Sequence, residues 1–367
     1  MTEDYYFWSH RLLVAKSAKQ EGFDVYVATH IGEYLGKLLQ EGFQVVPTIF
    51  SRNNQNLWTQ TKALLELVKI FKQIKPDIAH NIALKAIVFG SIASWVTGVP
   101  KVINLVAGLG VVFTDESKKY KLISKIARFI AGVLFSRSDV LVIVQNLDDK
   151  REIQNMASKA TIKLIRGSGV DIQKYFPTTE PIAPICVSLV ARMLWHKGVG
   201  EFVEASRLLK SWGENLNMQL VGGLDYGNPA CITEQQIFDW QSAGLISWLG
   251  HQKNIGKIWL ESHIAVLPSY REGFPKSLLE AAACGRPIVA ANTPGCREIV
   301  IEGYNGFLVP VRNAEALAKA IQKLAHDSKL RAKMGLCGRE LVCEKFSNER
   351  VIEQTMKVYH ELIPAIG

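Results

Sequence analysis

The feature that most narrows what this chain can fold into is an alternation. Short apolar runs with strand character recur between longer amphipathic runs of helical period, and the series occurs twice. In the first half, residues 24–29, 44–49, 77–80, 101–106, 140–144 and 162–165 read as strands, and 7–20, 32–40, 58–74, 84–96 and 118–135 read as helices. Strand, helix, strand, repeated, covers both faces of a parallel sheet, so the pattern predicts a doubly wound α/β domain. Residues 167–184 interrupt it with three prolines and read as a linker. The series restarts with strands at 185–189, 218–221, 246–249, 264–267 and 288–291, and helices at 198–210 and 235–243. Helices run from 314 to the end. The expectation is two Rossmann-like domains facing each other across a cleft, residues 1–166 and 185–345, with a terminal helix at 346–367 packing back towards the first.

One element is missing from the rhythm. Such a domain opens with a strand, yet residues 1–11 already read as the loop and helix that follow one. Either the first strand is absent or the given start lies downstream of the native one, and a folded but inactive form is one consequence.

At 367 residues the chain is long enough for two cores. Its six cysteines form no CxxC pair and read as reduced core residues, which points away from zinc and disulfide frameworks and towards a cytoplasmic protein. The longest uncharged run, residues 86–100, is too short and too broken by glycine and proline to span a bilayer. Charge is unevenly placed. Residues 1–166 hold 22 Lys+Arg against 14 Asp+Glu, while residues 167–367 hold 21 against 20. Any anionic surface is therefore met by the first half. Nucleic acid is excluded as the partner, because no recognition motif or aromatic stacking platform accompanies the charge.

Chemistry concentrates in residues 271–289, REGFPKSLLEAAACGRPIV. Glu272 sits in a loop; Glu280 lies eight residues on, inside an otherwise apolar helix, and a carboxylate there needs a partner. Pro275 suits the first helical position, where its missing N–H costs nothing. The amides of Gly273, Phe274 and the first turn then stand at the end of a strand, where open α/β sheets bind ligands and helix N-termini attract phosphate. Glu280 lies five residues further along, roughly 7.5 Å at 1.5 Å per residue, about the reach from a diphosphate to a ribose. A ribose-binding Glu280 and a Glu280 salt-bridged to Arg286 fit this spacing equally well. Arg192 and Lys197 follow the first strand of the second half, at the same edge of the sheet. One offers a planar fork and the other a point charge for a diphosphate.

Together these residues resemble the family-4 retaining glycosyltransferases of the two-Rossmann-domain type. That family carries a Glu-x7-Glu pair, here Glu272 and Glu280, with an upstream Arg and Lys, here Arg192 and Lys197. RGSGVD at 166–171, PSYREG at 268–273, GCREIV at 295–300 and NGFLVP at 305–310 match further. The first half resembles the branch that builds bacterial surface polysaccharides on undecaprenyl diphosphate. It does so through FWSHR at 7–11, DIAHN at 77–81 with Lys85, GLGVVFT at 108–114 and QNLDD at 145–149. It departs from that branch at His196, where Asp is usual, and at Ala86, where Pro is usual.

The resemblance implies transfer of a hexose or N-acetylhexosamine from a UDP-sugar donor to a lipid-diphosphate-linked saccharide. The leaving diphosphate itself helps to take the acceptor proton. It implies donor-diphosphate binding by Arg192 and Lys197, ribose binding by Glu280, and sugar binding by Glu272 with the amides of Gly273 and Phe274. His80, at a strand end, would reach the reacting centre, and His10, Arg11 and Lys85 would line the acceptor side. No Asp-x-Asp motif is present, so no obligatory metal and no cofactor are expected. The basic helix at 118–135 carries Lys118, Lys121, Lys125 and Arg128 beside an apolar face with Leu122, Ile126 and Phe129. Its cationic side is expected to dock on anionic lipid, at ~1 kcal/mol per basic residue, holding the protein peripherally at the inner face of the plasma membrane. A sugar-nucleotide 2-epimerase shares the architecture but handles no acceptor; the spaced Arg, Lys and Glu-x7-Glu set argues against it.

Overall fold

A computed structural model describes residues 1–50, 56–109, 118–182 and 184–363, without the side chains of Leu57 and of 118–123. The chain divides into two compact units, Met1–Ser168 with Val351–Gly367, and Gly169–Arg350.

In the first unit, β1 (Tyr26–Thr29) pairs in parallel with β2 (Gln44–Pro47). Separately, β3 (Ile78–Ile82), β4 (Lys101–Val106), β5 (Val140–Val144) and β6 (Thr161–Leu164) form a parallel sheet in that order. All five residues of β5, Val-Leu-Val-Ile-Val, are buried. β-Branched side chains pack well on a pleat, and here both faces are covered. Ile87, Phe135 and Ile153 cover one side of the sheet. Val351 and Val358, from the helix Asn348–Leu362, cover the other. Asn56 caps the helix Leu57–Ile74 by accepting from Trp58 N, and Asn146 caps Leu147–Met156 by accepting from Asp149 N.

Several expectations need correction in this unit. The single helix expected at 7–20 is two, Asp4–His10 and Leu12–Gln20, jointed at Arg11, whose φ of −129° is not helical. The strand expected at 77–80 runs to Ile82, so His80 sits mid-strand rather than at its end. Among the described residues no strand lies between β1 and β3, and the sheet is in two pieces. Of the GLGVVFT stretch, residues 110–114 lie outside the described residues.

The second unit holds one parallel sheet of β7 (Cys186–Val190), β8 (Asn217–Val221), β9 (Ser247–Trp248), β10 (Ile264–Leu267), β11 (Ile288–Ala291) and β12 (Gly306–Val309). Their order is β12-β11-β10-β7-β8-β9. Two apolar layers sandwich it, one built on Phe202, Leu220 and Ile321, the other on Trp259, Leu279 and Ile299. Among the described residues no helix is long and apolar enough to cross a membrane.

Candidate functional site

The chain lays down β7, β8 and β9 in one direction, then returns to add β10 on the other flank of β7. Where strand order reverses in this way, the loops leaving the carboxyl ends of the two central strands part and leave a crevice. The loops at this crevice are 191–198, after β7, and 268–275, after β10.

Those loops are stitched together. Ser269 Oγ and Tyr270 N both donate to His196 O, at 3.1 and 2.9 Å. Gly198 allows the close approach. Its φ is +76°, and a Cβ there would stand 2.2 Å from Pro268 O. Tyr270 is held in turn. Its hydroxyl donates to Glu201 Oε1 at 2.7 Å, and the Arg312 guanidinium lies 4.7 Å over its ring. Burial and the Glu201 carboxylate push the Tyr270 hydroxyl up to about 12.

The stitching brings Lys197 onto Glu272. Lys197 closes a single 3-10 turn, Trp195–Lys197, and its Nζ donates to Glu272 Oε1 at 2.6 Å. The two side chains are 18% and 11% exposed, so this pair is drier than an ordinary surface ion pair. The Glu272 backbone is fixed from behind: Gly295 N donates to Glu272 O at 3.2 Å, and a Cβ on Gly295 would stand 2.6 Å from Gly273 O. Phe274 is pinned edge-on against Phe346, with ring centroids 5.4 Å apart. Pro275 is the N-cap of the helix Lys276–Ala283 rather than its first residue, a correction of one position. Proline has no side-chain acceptor, so the N-cap residue makes no capping bond of its own, and the positive end of the helix lies beside Gly273 and Phe274. Arg192 stands in the same post-β7 loop, and its guanidinium is held by Asp225, in the loop after β8, at 2.5 Å.

Glu280 is 8% exposed, and burial raises its carboxyl above the usual carboxylate range, while Lys276 and the Tyr175 hydroxyl pull the other way. The Arg286 partnership does not form. Arg286 Nε donates to Trp259 O at 2.9 Å and its Nη2 to Thr178 Oγ1 at 3.1 Å and Leu260 O at 3.3 Å. One guanidinium serves those acceptors in a buried corner, and Glu280 faces Tyr175 instead.

In the first unit, Arg11 is buried and, with His80, lines one pocket. His80 Nδ1 lies 2.7 Å from Tyr359 Oη, and burial with the nearby Arg11 charge lowers its imidazole to about 3. It is therefore neutral at ordinary pH. His10 stacks on Tyr6 at 4.3 Å, and Lys85 Nζ lies 5.4 Å over the Phe50 ring. The structure thus brings Lys197, Glu272, Gly273 and Phe274 together, and Arg11 with His80, while His10 and Lys85 have other neighbours.

Asp225, Tyr175, Glu201 and Arg312 escaped sequence reasoning. Asp225 stands in a turn after a strand and Tyr175 in the linker, places where acids and aromatics carry no periodic signal.

Known families match both halves of the chain. Residues 176–341 match the family model "Glycosyl transferases group 1", and residues 2–146 match "Glycosyl transferase 4-like". The chain is 30% identical to the N,N'-diacetylbacillosaminyl-diphospho-undecaprenol alpha-1,3-N-acetylgalactosaminyltransferase of Campylobacter jejuni, over 96% of this chain and 95% of that one. It is 25% identical to the UDP-Gal:alpha-D-GlcNAc-diphosphoundecaprenol alpha-1,3-galactosyltransferase of Escherichia coli, over 87% and 83%. In fold it resembles HepE of Anabaena, solved in complex with UDP, with a TM-score of 0.78 at 20% identity over 98% of both chains. The crevice between β7 and β10, with its paired Lys197 and Glu272, belongs to a member of the group 1, family-4-like glycosyltransferases, built from two Rossmann-like domains.

Proposed function

We propose that the second unit binds the diphosphate of a UDP-sugar at the β7–β10 crevice and that the enzyme moves its hexose or N-acetylhexosamine to a lipid-diphosphate-linked saccharide. The observation that carries this reading is the half-dry Lys197–Glu272 pair, set beside a helix start at the point where strand order reverses. A diphosphate arriving there meets a cation already fixed in place and the positive end of a helix. Glu272, displaced from Lys197, then accepts from hydroxyls of the sugar. Arg192 supplies the second cation and Glu280 the ribose acceptor. Both lipid-linked relatives support the acceptor class, and the Escherichia coli relative's name supports UDP. Transfer proceeds with retention, the departing diphosphate oxygen taking the acceptor proton while Lys197 stabilises the charge that develops there, and no metal ion takes part.

A panel of UDP-sugars offered with a short undecaprenyl-diphosphate-linked saccharide, scored by mass, tests the reading. One donor is expected to give a product heavier by one sugar residue, with turnover unchanged by chelator. Lys197→Ala is expected to lower that turnover by about 10²–10³, the usual cost of losing one preorganised electrostatic donor. Turnover within a few-fold of the parent would dismiss the assignment.

The basic helix Lys118–Phe135 supports peripheral membrane association, and its apolar face adds to the expected cationic docking. Ile126 and Phe129 do not face the core. Together with Ile130 and Val133 they are 53%, 73%, 40% and 48% exposed, at i, i+3, i+4 and i+7. One continuous apolar stripe thus looks outward along a basic helix, the arrangement of a helix that lies in a membrane interface.

A further inference from the structure

The loop that carries Arg192 is laced to its neighbour on both sides of that residue. Beyond the last paired residues of β7 and β8 the two chains keep their register. Ala191 N donates to Val221 O and Met193 N to Gly223 O, both at 3.0 Å. The loop after β8, 222–232, then turns back along the same stretch. Ile232 N donates to Met193 O at 3.0 Å, Trp195 N donates to Ala230 O at 2.9 Å, and Leu194 faces Cys231 in an antiparallel bridge. Met193 and Leu194 are fully buried, which fixes the backbone next to Arg192 from within.

Asp225 is mounted as firmly. Its N donates to Cys231 Sγ at 3.2 Å, and its O accepts from Asn228 N at 2.8 Å. Asn228 accepts in turn from Ala230 N through Oδ1 at 3.0 Å and from Cys231 N through its carbonyl at 2.9 Å. From this mount Asp225 Oδ2 accepts from Arg192 Nη1 at 2.5 Å. The two side chains are 45% and 30% exposed, and an ion pair that wet adds little to folding stability. Its use lies elsewhere. A guanidinium carries five N–H donors in a planar fork, and one bond to a fixed carboxylate sets the plane of the fork while occupying a single donor. Strand order puts β8 on one flank of β7 and β10 on the other, so Asp225 stands on the flank opposite the β7–β10 crevice.

We propose that Asp225 is a positioning residue for the donor site: from the β8 side it fixes the plane of the Arg192 guanidinium, whose other edge takes the terminal phosphate of a nucleoside diphosphate. This inference rests on the donor-site reading, in which Arg192 is the second cation. Ordering a long side chain on binding costs affinity, and an arginine ordered before the ligand arrives avoids that loss. The two cations are thus held differently. Lys197 sits on Glu272, which the ligand displaces; Arg192 sits on Asp225, which stays.

Calorimetric titration of UDP and UMP into the full chain tests it, with the parent, Asp225→Ala, Asp225→Asn, Arg192→Ala and the double variant Arg192→Ala with Asp225→Ala. The parent is expected to bind UDP about tenfold or more tightly than UMP, because the terminal phosphate adds charge-assisted hydrogen bonds. Asp225→Ala is expected to weaken UDP about three- to tenfold, the loss from one side chain left to be ordered on binding, and to leave UMP unchanged. Asp225→Asn keeps a carbonyl acceptor at the same place and is expected to recover most of that loss. On the Arg192→Ala background, Asp225→Ala is expected to change nothing further, since the carboxylate acts only through the guanidinium. UMP is the internal control: a substitution that merely disturbs the loop weakens both nucleotides alike, and that result overturns the proposal. So does unchanged UDP binding in Asp225→Ala, or tighter UDP binding in both Asp225 variants, which would make the carboxylate a competitor for Arg192. A parent that binds UDP no more tightly than UMP would instead remove the donor-site reading, and this inference with it.

Discussion

At the scale of single residues, burial sets the proton affinity of two candidate groups, Glu280 and His80. Glu280 keeps a raised carboxyl because burial outweighs the pull of Lys276 and the Tyr175 hydroxyl, and Arg286 is engaged elsewhere. A raised acid pKa means that stability present below the unfolded value is lost as pH climbs through the folded one. Glu280→Gln is therefore expected to leave stability at pH 7 equal to or above the parent. UDP binding, read by calorimetry, is expected to weaken about 10–100-fold, the worth of one hydrogen bond to a charged acceptor. His80 has the opposite sign. Its imidazole is lowered from 6.5 to about 3, so the unfolded chain binds the extra proton first and stability falls as pH drops from about 6.5 towards 3. Denaturant titrations across that window are expected to show the loss in the parent and a flatter profile in His80→Gln. Lys197 has its partner 2.6 Å away and owes its position to the loop that carries it rather than to burial.

Elements place those residues, and the decisive ones are short. The turn Trp195–Lys197 and the loop 268–275 are joined by two bonds to His196 O and by the contact of Gly198 with Pro268. Gly198→Ala would meet both a positive φ and a backbone oxygen that cannot swing away. The expected cost is about 1–3 kcal/mol of unfolding free energy, together with a fall in turnover larger than the fall in donor affinity. Calorimetric unfolding and steady-state kinetics on one preparation check both. Much at this scale was legible beforehand. The strand 140–144, the loop-then-helix at 271–283 and the spacing from Glu272 to Glu280 follow from local period and turn chemistry. The joint at Arg11 and the extension of β3 to Ile82 were not legible, because neighbours across the sheet decide where a strand stops. The outward exposure of the apolar face of Lys118–Phe135 was not legible, for a similar reason. An apolar stripe marks a face, and only the packed neighbours show whether that face is covered.

For the whole molecule, the uneven charge and the exposed stripe belong to one unit. The first unit carries the basic half of the chain and the helix bearing Ile126, Phe129, Ile130 and Val133. Vesicles containing phosphatidylserine are expected to co-sediment the protein, less so as salt rises towards 1 M, where the Debye length shrinks to about 3 Å. The pair Ile126→Ser with Phe129→Ser is expected to cut partitioning at least about tenfold, since each buried side chain of this size is worth about 1.5–3 kcal/mol. Equal binding to neutral vesicles would show the basic residues to be bystanders.

By itself the sequence determined the two α/β series and, through its resemblance to a family, the glycosyltransferase class, and it offered Lys197, Glu272 and Glu280 as candidates for the donor site. The series is written in local period, the candidate residues in turn chemistry and spacing along one stretch of chain, and the class in the resemblance that those motifs carry. Only the tertiary structure decided that Arg192 answers to Asp225, that Glu280 faces Tyr175 rather than Arg286, and that β1 and β3 stand apart with their edges open. Those outcomes depend on which strands lie side by side and which buried group reaches an acceptor first. Contacts between residues far apart in the chain settle such competitions, and no local pattern records them.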